Sequence, residues 1–310
     1  MCDVVTTAGP TPLRSVIRSR LPVDLRSTLG GLRRGARDRA TVFDDGACWR
    51  AFHTPAGSAT LRLVSRPVAG EVEATAWGAG AEWALDSAAD LVGCRDDLDG
   101  WTPRHPIVRD QHLRHPGLRM PRSGLVFDTL LPTVLEQKVT GKEARLSYLQ
   151  LQRRFGAPAP GPMDLVVPPA ALDVVRIPSW EWHLAGVDHT RARTAMGAAR
   201  CAGRLEEAVG MSPADAQRRL RAVPGVGVWT AAEVAQRALG DADAVSVGDY
   251  HLAHFIGWVL TGHRVDDDGM LELLEPYRPH RYRAIRLLEL LGVRHPAYGP
   301  RMTIVDRRRM

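Results

Sequence analysis

The sequence predicts a mainly α-helical protein with a small α+β domain at its N-terminus. Three observations lead there. Strand-like alternation of apolar and polar residues is confined to residues 1–95, helical spacing dominates after residue 106, and a Pro224-Gly225-Val226-Gly227 corner joins two helical stretches in the second half. With 310 residues the chain can bury a full core and hold two or three units of domain size.

In the N-terminal part, residues 41–52, 60–64 and 71–76 read as strands, with Leu61, Leu63, Val72, Ala74 and Ala76 on inward faces. Thr54-Pro55-Ala56-Gly57 supplies the turn between the first two. Residues 23–32 and 81–91 suit helices, and residues 96–106, charged and holding two prolines, read as a linker. Beyond it nearly everything is helical, with breaks at 156–162, Pro178 and Gly186. Val126, Leu130, Val134 and Leu135 make an inward stripe, and Thr140-Gly141-Lys142-Glu143 is a capping box opening the next helix. Between the two helices lies the corner Glu136-Gln137-Lys138-Val139. After Pro178, Ser179-Trp180-Glu181-Trp182-His183 sets two indoles on one turn; packing suits one of them and a cleft the other. Asp188-His189-Thr190-Arg191 opens a further helix, whose arginine either ties the structure together or reaches a partner.

The glycine corner is the most informative stretch. Ser212-Pro213-Ala214-Asp215 has the capping hydroxyl, first-turn proline and acid of a helix start, and Leu220 and Val223 share one apolar face. Pro224 ends that helix, Gly225 and Gly227 permit a tight turn, and Ala231, Val234, Ala235 and Ala238 resume helical spacing. Such a turn points unpaired N–H groups outward, a geometry that suits phosphate. A plain helix–helix corner accounts for the same residues equally well.

Two dozen residues beyond Gly225, residues 244–247 read as extended, Gly248 breaks them, and Asp249 stands at the edge of an apolar helix with Leu252, Phe255, Ile256 and Val259. Asp249 is therefore either an N-cap or a chemical group, and a helix N-terminus favours its anion in both roles.

Lysine and arginine number 41 against 35 acids, a modest net charge of +6. Basic residues crowd residues 104–122 and the tail Arg307-Arg308-Arg309, which face either phosphates or water. Cys2, Cys48, Cys94 and Cys201 are scattered, so neither a zinc site, an iron–sulfur loop nor a disulfide framework is expected. No apolar run reaches membrane-spanning length, and a reduced, cytoplasmic, soluble protein is expected, with no membrane partner.

Taken together, LRAVPGVGVWTA, the spacing to Asp249 and the upstream FDTLLPTVLEQKVTGKEA resemble the helix-hairpin-helix DNA glycosylase superfamily, in particular its AlkA-like 3-methyladenine glycosylase branch, over about residues 106–292. The resemblance implies two helical lobes around a cleft, beside the N-terminal sheet domain. It divides the chain into a sheet domain (1–95), a linker with the first helix of the second lobe (96–123), a lobe with the hairpin (124–241), the rest of the second lobe (242–296) and a basic tail (297–310).

It also implies roles. Asp249 matches the catalytic aspartate of the family, and Pro224, Gly225, Val226, Gly227, Val228 and Thr230 match its DNA-gripping hairpin. Lyase-competent members carry a lysine where this chain has Trp229, and an indole cannot form a Schiff base, so hydrolysis by water is expected. Trp229 is either a wall of the base pocket or a core brace. Lys138 matches the residue that fills the gap left by a flipped nucleotide, although the best-known members use an apolar side chain; an exposed helix-end lysine is the plainer alternative. Gln137 is expected near the opposite base or backbone. Glu233 and His280 stand where relatives carry pocket aromatics, which puts the substrate range in doubt, and Trp180 or Trp182 is a further pocket candidate.

No organic cofactor is expected. A sodium or potassium ion is implied at the backbone carbonyls of Arg221, Val223 and Val226. The expected partner is double-stranded DNA with a damaged base, bound by a monomer and hydrolysed at the N-glycosidic bond of an alkylated purine of the 3-methyladenine or 7-methylguanine type. Two rivals are a non-catalytic, lesion-sensing hairpin protein and a bifunctional glycosylase/lyase working through Lys138 or Lys142.

Overall fold

The computed structural model describes residues 11–293; Cys2 and the basic tail at 297–310, with Arg307, Arg308 and Arg309, lie outside the described residues. The sheet domain has five antiparallel strands: β1 (Leu13–Arg18), β2 (Thr41–Asp44), β3 (Ala47–Thr54), β4 (Gly57–Arg66) and β5 (Glu71–Trp77). They lie in the order β1-β5-β4-β3-β2. The single strand expected over 41–52 is a hairpin, folded at Asp45 and Gly46, both with positive φ (44° and 71°). An Asp-Gly pair supplies that left-handed geometry, whose twist matches the flanking strands. The turn expected at residues 54–57 does join β3 to β4, with Thr54 opposite Gly57. Leu61, Leu63, Val72, Ala74 and Ala76 are buried as their alternation requires. Edge strand β1 was not expected, because its residues are mostly exposed and give no period-two apolar signal. Helix α1 (Leu25–Leu29) runs on as a tighter turn to Leu32, and α2 (Ala81–Leu91) has the expected bounds.

The helical part comprises α3 (Pro106–Arg114), α4 (Val126–Leu135), α5 (Gly141–Phe155), α6 (Ala171–Arg176), α7 (Ser179–Leu184), α8 (His189–Arg200), α9 (Ala202–Glu206), α10 (Pro213–Arg221), α11 (Val228–Val234), α12 (Leu252–Thr261), α13 (Asp267–Leu274) and α14 (Arg281–Glu289), with a two-residue strand pair between α5 and α6. These helices enclose two separate cores. One is built on α4, α8, α10 and α11, around Leu130, Leu151, Trp182 and Leu220; the other joins α3 to α12, α13 and α14 around Val108, Ile256, Met270 and Leu288. Mainly α, with two helical lobes beside an N-terminal α+β domain, is thus the observed architecture.

Two long-range devices hold the lobes. No residue caps α4 from its own chain segment; instead the Glu206 carboxylate accepts from Val126 and Phe127 backbone N–H, each at 2.8 Å. Burial pushes the Glu206 carboxyl above its usual range, and those two donors pull it partly back. The segment 96–106 is a strap rather than a loose linker: Arg283 Nη1 donates to the buried Asp96 carboxylate at 2.8 Å, and Trp101 stacks on Tyr277 at 5.8 Å.

Candidate active site

The hairpin is assembled as its residues dictate. Ser212 Oγ accepts from Asp215 N–H to start α10, and Leu220 and Val223 bury one face. Gly225 sits at φ +91°, where a side chain is strained, and a Cβ there would come within 2.1 Å of Thr194 Oγ1 on α8. Gly227 is different. Its φ of −92° suits any residue and nothing lies within 4 Å of a Cβ, so no neighbour in the protein demands glycine there. Pro224, Gly225, Gly227 and Val228 are exposed, whereas Val226 and Thr230 are buried and anchor the turn.

Opposite this turn, Asp249 is fixed by three donors. Its Oδ1 accepts from His251 N–H at 2.8 Å and Leu252 N–H at 2.9 Å, a side-chain turn leading into α12, whose N-cap position is His251. Its Oδ2 accepts from the indole Nε1 of Trp229 at 3.0 Å. Both residues are half-buried. Asp249 is thus not the N-cap of α12, a position that His251 takes, but it does bond the first N–H groups leading into that helix; Trp229 is not a plain core brace, because its indole N–H orients the carboxylate. Behind them, Gln236 Nε2 donates to Ala244 O (3.0 Å) and Ser246 Oγ (2.9 Å), and Ser246 O accepts from Asp249 N–H (3.2 Å). The chain leading to the acid is thus pinned to the wider turn at Ala235–Leu239 that continues α11.

Several expected site residues stand elsewhere. Glu233 spends its carboxylate on Arg237 (2.7 Å) and Ser246 Oγ (2.5 Å), so it braces the turn before Asp249 instead of presenting a free face to a ligand. His280 is buried in the strap, its Nε2 against Asp99 O at 2.7 Å and its ring edge-on to Trp101; both ring nitrogens are used inside the protein, since Nδ1 meets Arg283 Nε at 3.3 Å. Trp182 is 1% exposed in the first helical core and is the packing indole of its pair, while Trp180 is 64% exposed on α7. Arg191 ties the lobe together: it is buried, and its Nη1 donates to Leu135 O at 2.7 Å.

At the α4–α5 corner, Gln137 Nε2 donates to Gly225 O (3.0 Å) and Thr230 Oγ1 (2.9 Å), so the corner and the hairpin form one unit. Lys138 next to it is exposed, with φ +53°. One residue escaped sequence reasoning. Tyr250, directly after Asp249, is 85% exposed, its ring set edge-on against His251 at 4.7 Å. An exposed aromatic beside the acid is the signal that could have found it.

The carbonyls implied as cation ligands run from Arg221, the last residue of α10, into the turn, and Val223 O accepts from Val226 N–H at 3.0 Å, which leaves it a second lone pair. Among the described residues no group of three or more His, Cys, Asp or Glu is arranged to hold a metal. No described helix is long and apolar enough to cross a membrane. Cys48, Cys94 and Cys201 carry free thiols, and burial pushes that of Cys48 up to about 12.

No family model matches the chain. A curated relative from Mycobacterium tuberculosis, named "Probable bifunctional transcriptional activator/DNA repair enzyme AlkA", is 29% identical over 267 residues, covering 81% of this chain and 51% of the relative. The chain thus spans about half the length of the curated relatives it matches. Among solved structures, 3-methyladenine DNA glycosylase from Archaeoglobus fulgidus superposes with a TM-score of 0.72 at 16% identity, over 89% of this chain and 97% of that one. The apo form of 8-oxoguanine glycosylase/lyase from Clostridium acetobutylicum gives 0.67 at 11% identity, over 89% and 95%. The chain thus shares the fold of these DNA glycosylases, and in sequence it is similar to the AlkA relative.

Proposed function

We propose that the chain is a monofunctional DNA glycosylase that releases alkylated purines, of the 3-methyladenine and 7-methylguanine type, from duplex DNA in base excision repair. One observation carries the reading: the half-buried Asp249 carboxylate is held by two backbone N–H groups and an indole N–H beside an exposed glycine hairpin. The likeness to a relative named as a DNA repair enzyme and to a solved 3-methyladenine glycosylase supports it.

As the base departs, positive charge builds on the deoxyribose, and the Asp249 carboxylate stabilises that centre while orienting or deprotonating a water. Three donors on its two oxygens hold the carboxylate in a fixed orientation. An alkylated purine is already cationic and leaves readily, so no general acid is required. Trp229 at the hairpin's exit has no amine, which favours water over a Schiff base and leaves the abasic strand uncut. The exposed turn from Pro224 to Val228 holds the DNA backbone, with Gly227 allowing close approach; the Arg221, Val223 and Val226 carbonyls would hold an alkali cation, which would add positive charge beside the phosphate. Tyr250 and the Trp229 ring supply aromatic faces for an extruded base, and Lys138 fills the gap it leaves.

The test is a panel of duplexes, each with one modified base, 8-oxoguanine among them, assayed for free base and for strand cleavage. Release of methylated purines with an intact strand is the expected result. Release of 8-oxoguanine alone, or a borohydride-trapped adduct, would overturn the substrate or the hydrolytic assignment respectively.

A further inference from the structure

The α4–α5 corner is clamped from three sides. Leu135 O accepts from the buried Arg191, Gln137 bonds the hairpin, and Arg34 Nη1 of the N-terminal domain reaches both Glu136 oxygens at 3.1 Å while its Nη2 donates to Thr133 Oγ1 at 3.4 Å. The loop that bears Arg34 also grips the far side of the corner. Asp38 accepts from Arg34 N–H at 2.8 Å and from Gln152 Nε2 of α5 at 3.0 Å, and Gly35 lies so close to Arg145 that a Cβ would come within 2.6 Å of its Cδ. Residues 34–38 are therefore a splint across α4 and α5, with Lys138 at its apex.

Lys138 is the residue the splint holds in a left-handed conformation, which is strained for a non-glycine residue. Such strain persists where the surroundings over-determine it, and here three clamps from three different elements do so.

We propose that Arg34 is a positioning residue for nucleotide extrusion: through Glu136 it sets Lys138 at a fixed height over the hairpin, making the sheet domain part of the machinery that distorts DNA. The inference rests on the glycosylase reading above and deepens it.

Arg34→Ala and the charge swap Arg34→Glu with Glu136→Arg separate this role from simple stability. Single-turnover base release is measured on one lesion in duplex DNA and on the same lesion in a single strand, where no stacked partner has to be displaced. Arg34→Ala should slow the duplex reaction on the order of tenfold and the single-strand reaction less than about twofold, with the swap restoring the duplex rate. Equal losses on both substrates, or no loss on the duplex, would overturn the proposal. A second readout needs no chemistry: 2-aminopurine fluorescence opposite an abasic analogue should rise when wild type binds and rise less with Arg34→Ala. If wild type frees no base yet raises this signal, the glycosylase reading fails while the positioning role stands; if wild type raises no signal, the positioning role is refuted.

Discussion

Trp229 Nε1 donates to Asp249 Oδ2 at 3.0 Å, so the indole at the exit of the hairpin fixes the acid at the head of α12. The hairpin and the acid are thereby one rigid constellation, although 20 residues separate the pair in sequence. A hydrogen bond to a charged group is worth about 1.5–3 kcal/mol. Trp229→Phe, which keeps the ring and deletes the donor, is expected to lower kcat about 10- to 100-fold while changing DNA affinity little. Single-turnover rates beside a binding titration check this.

The two hairpin glycines should separate cleanly. Gly225→Ala meets both a left-handed backbone and Thr194, and is expected to lower the melting temperature. Gly227→Ala meets open space, so the protein should melt as wild type does, yet bind DNA more weakly because a methyl stands where the backbone approaches. Thermal unfolding and salt-dependent binding of both variants decide it.

The indoles of α7 give a third pair. Trp182→Ala empties a fully buried site and should cost about 3–5 kcal/mol, whereas Trp180→Ala, on an exposed ring, should leave stability within about 0.5 kcal/mol. Denaturant titration of each measures the difference.

Glu206 predicts a pH dependence. Burial raises its carboxyl above the ordinary value of 4.5, so the folded state holds that proton more tightly than the unfolded chain. Its contribution to stability is full below the unfolded value and is lost as pH rises through the raised folded value. The stability of Glu206→Gln relative to wild type should therefore improve on going from acid to neutral pH. Urea unfolding across that window checks the sign; a difference that moves the other way contradicts the burial account.

How much of this was legible depended on what each residue answers to. The hairpin and the turn at Asp249 that leads into α12 are local, set by glycine, proline and the spacing of neighbouring apolar residues, and their place could be read, although the N-cap itself is His251. Strand β3 reads in sequence as one strand with β2: both its faces are covered, Cys48 and Phe52 on one core and Trp49 and Ala51 on another, so no change of alternation marks the turn at Asp45 and Gly46. Glu233 and His280 were placed by position alone, and their orientation is set instead by Arg237 and Asp99, whose proximity no spacing rule reveals. The same holds for Arg34 and Glu136, 102 residues apart.

The most direct measurement is release of free methylated purine from duplex DNA by wild type and by Asp249→Asn, with DNA binding followed in parallel. Wild type should free the base and leave the strand intact, and the variant should bind comparably while releasing base at least about a hundredfold more slowly. Base release by Asp249→Asn at the wild-type rate would contradict the assignment of the reacting group to Asp249.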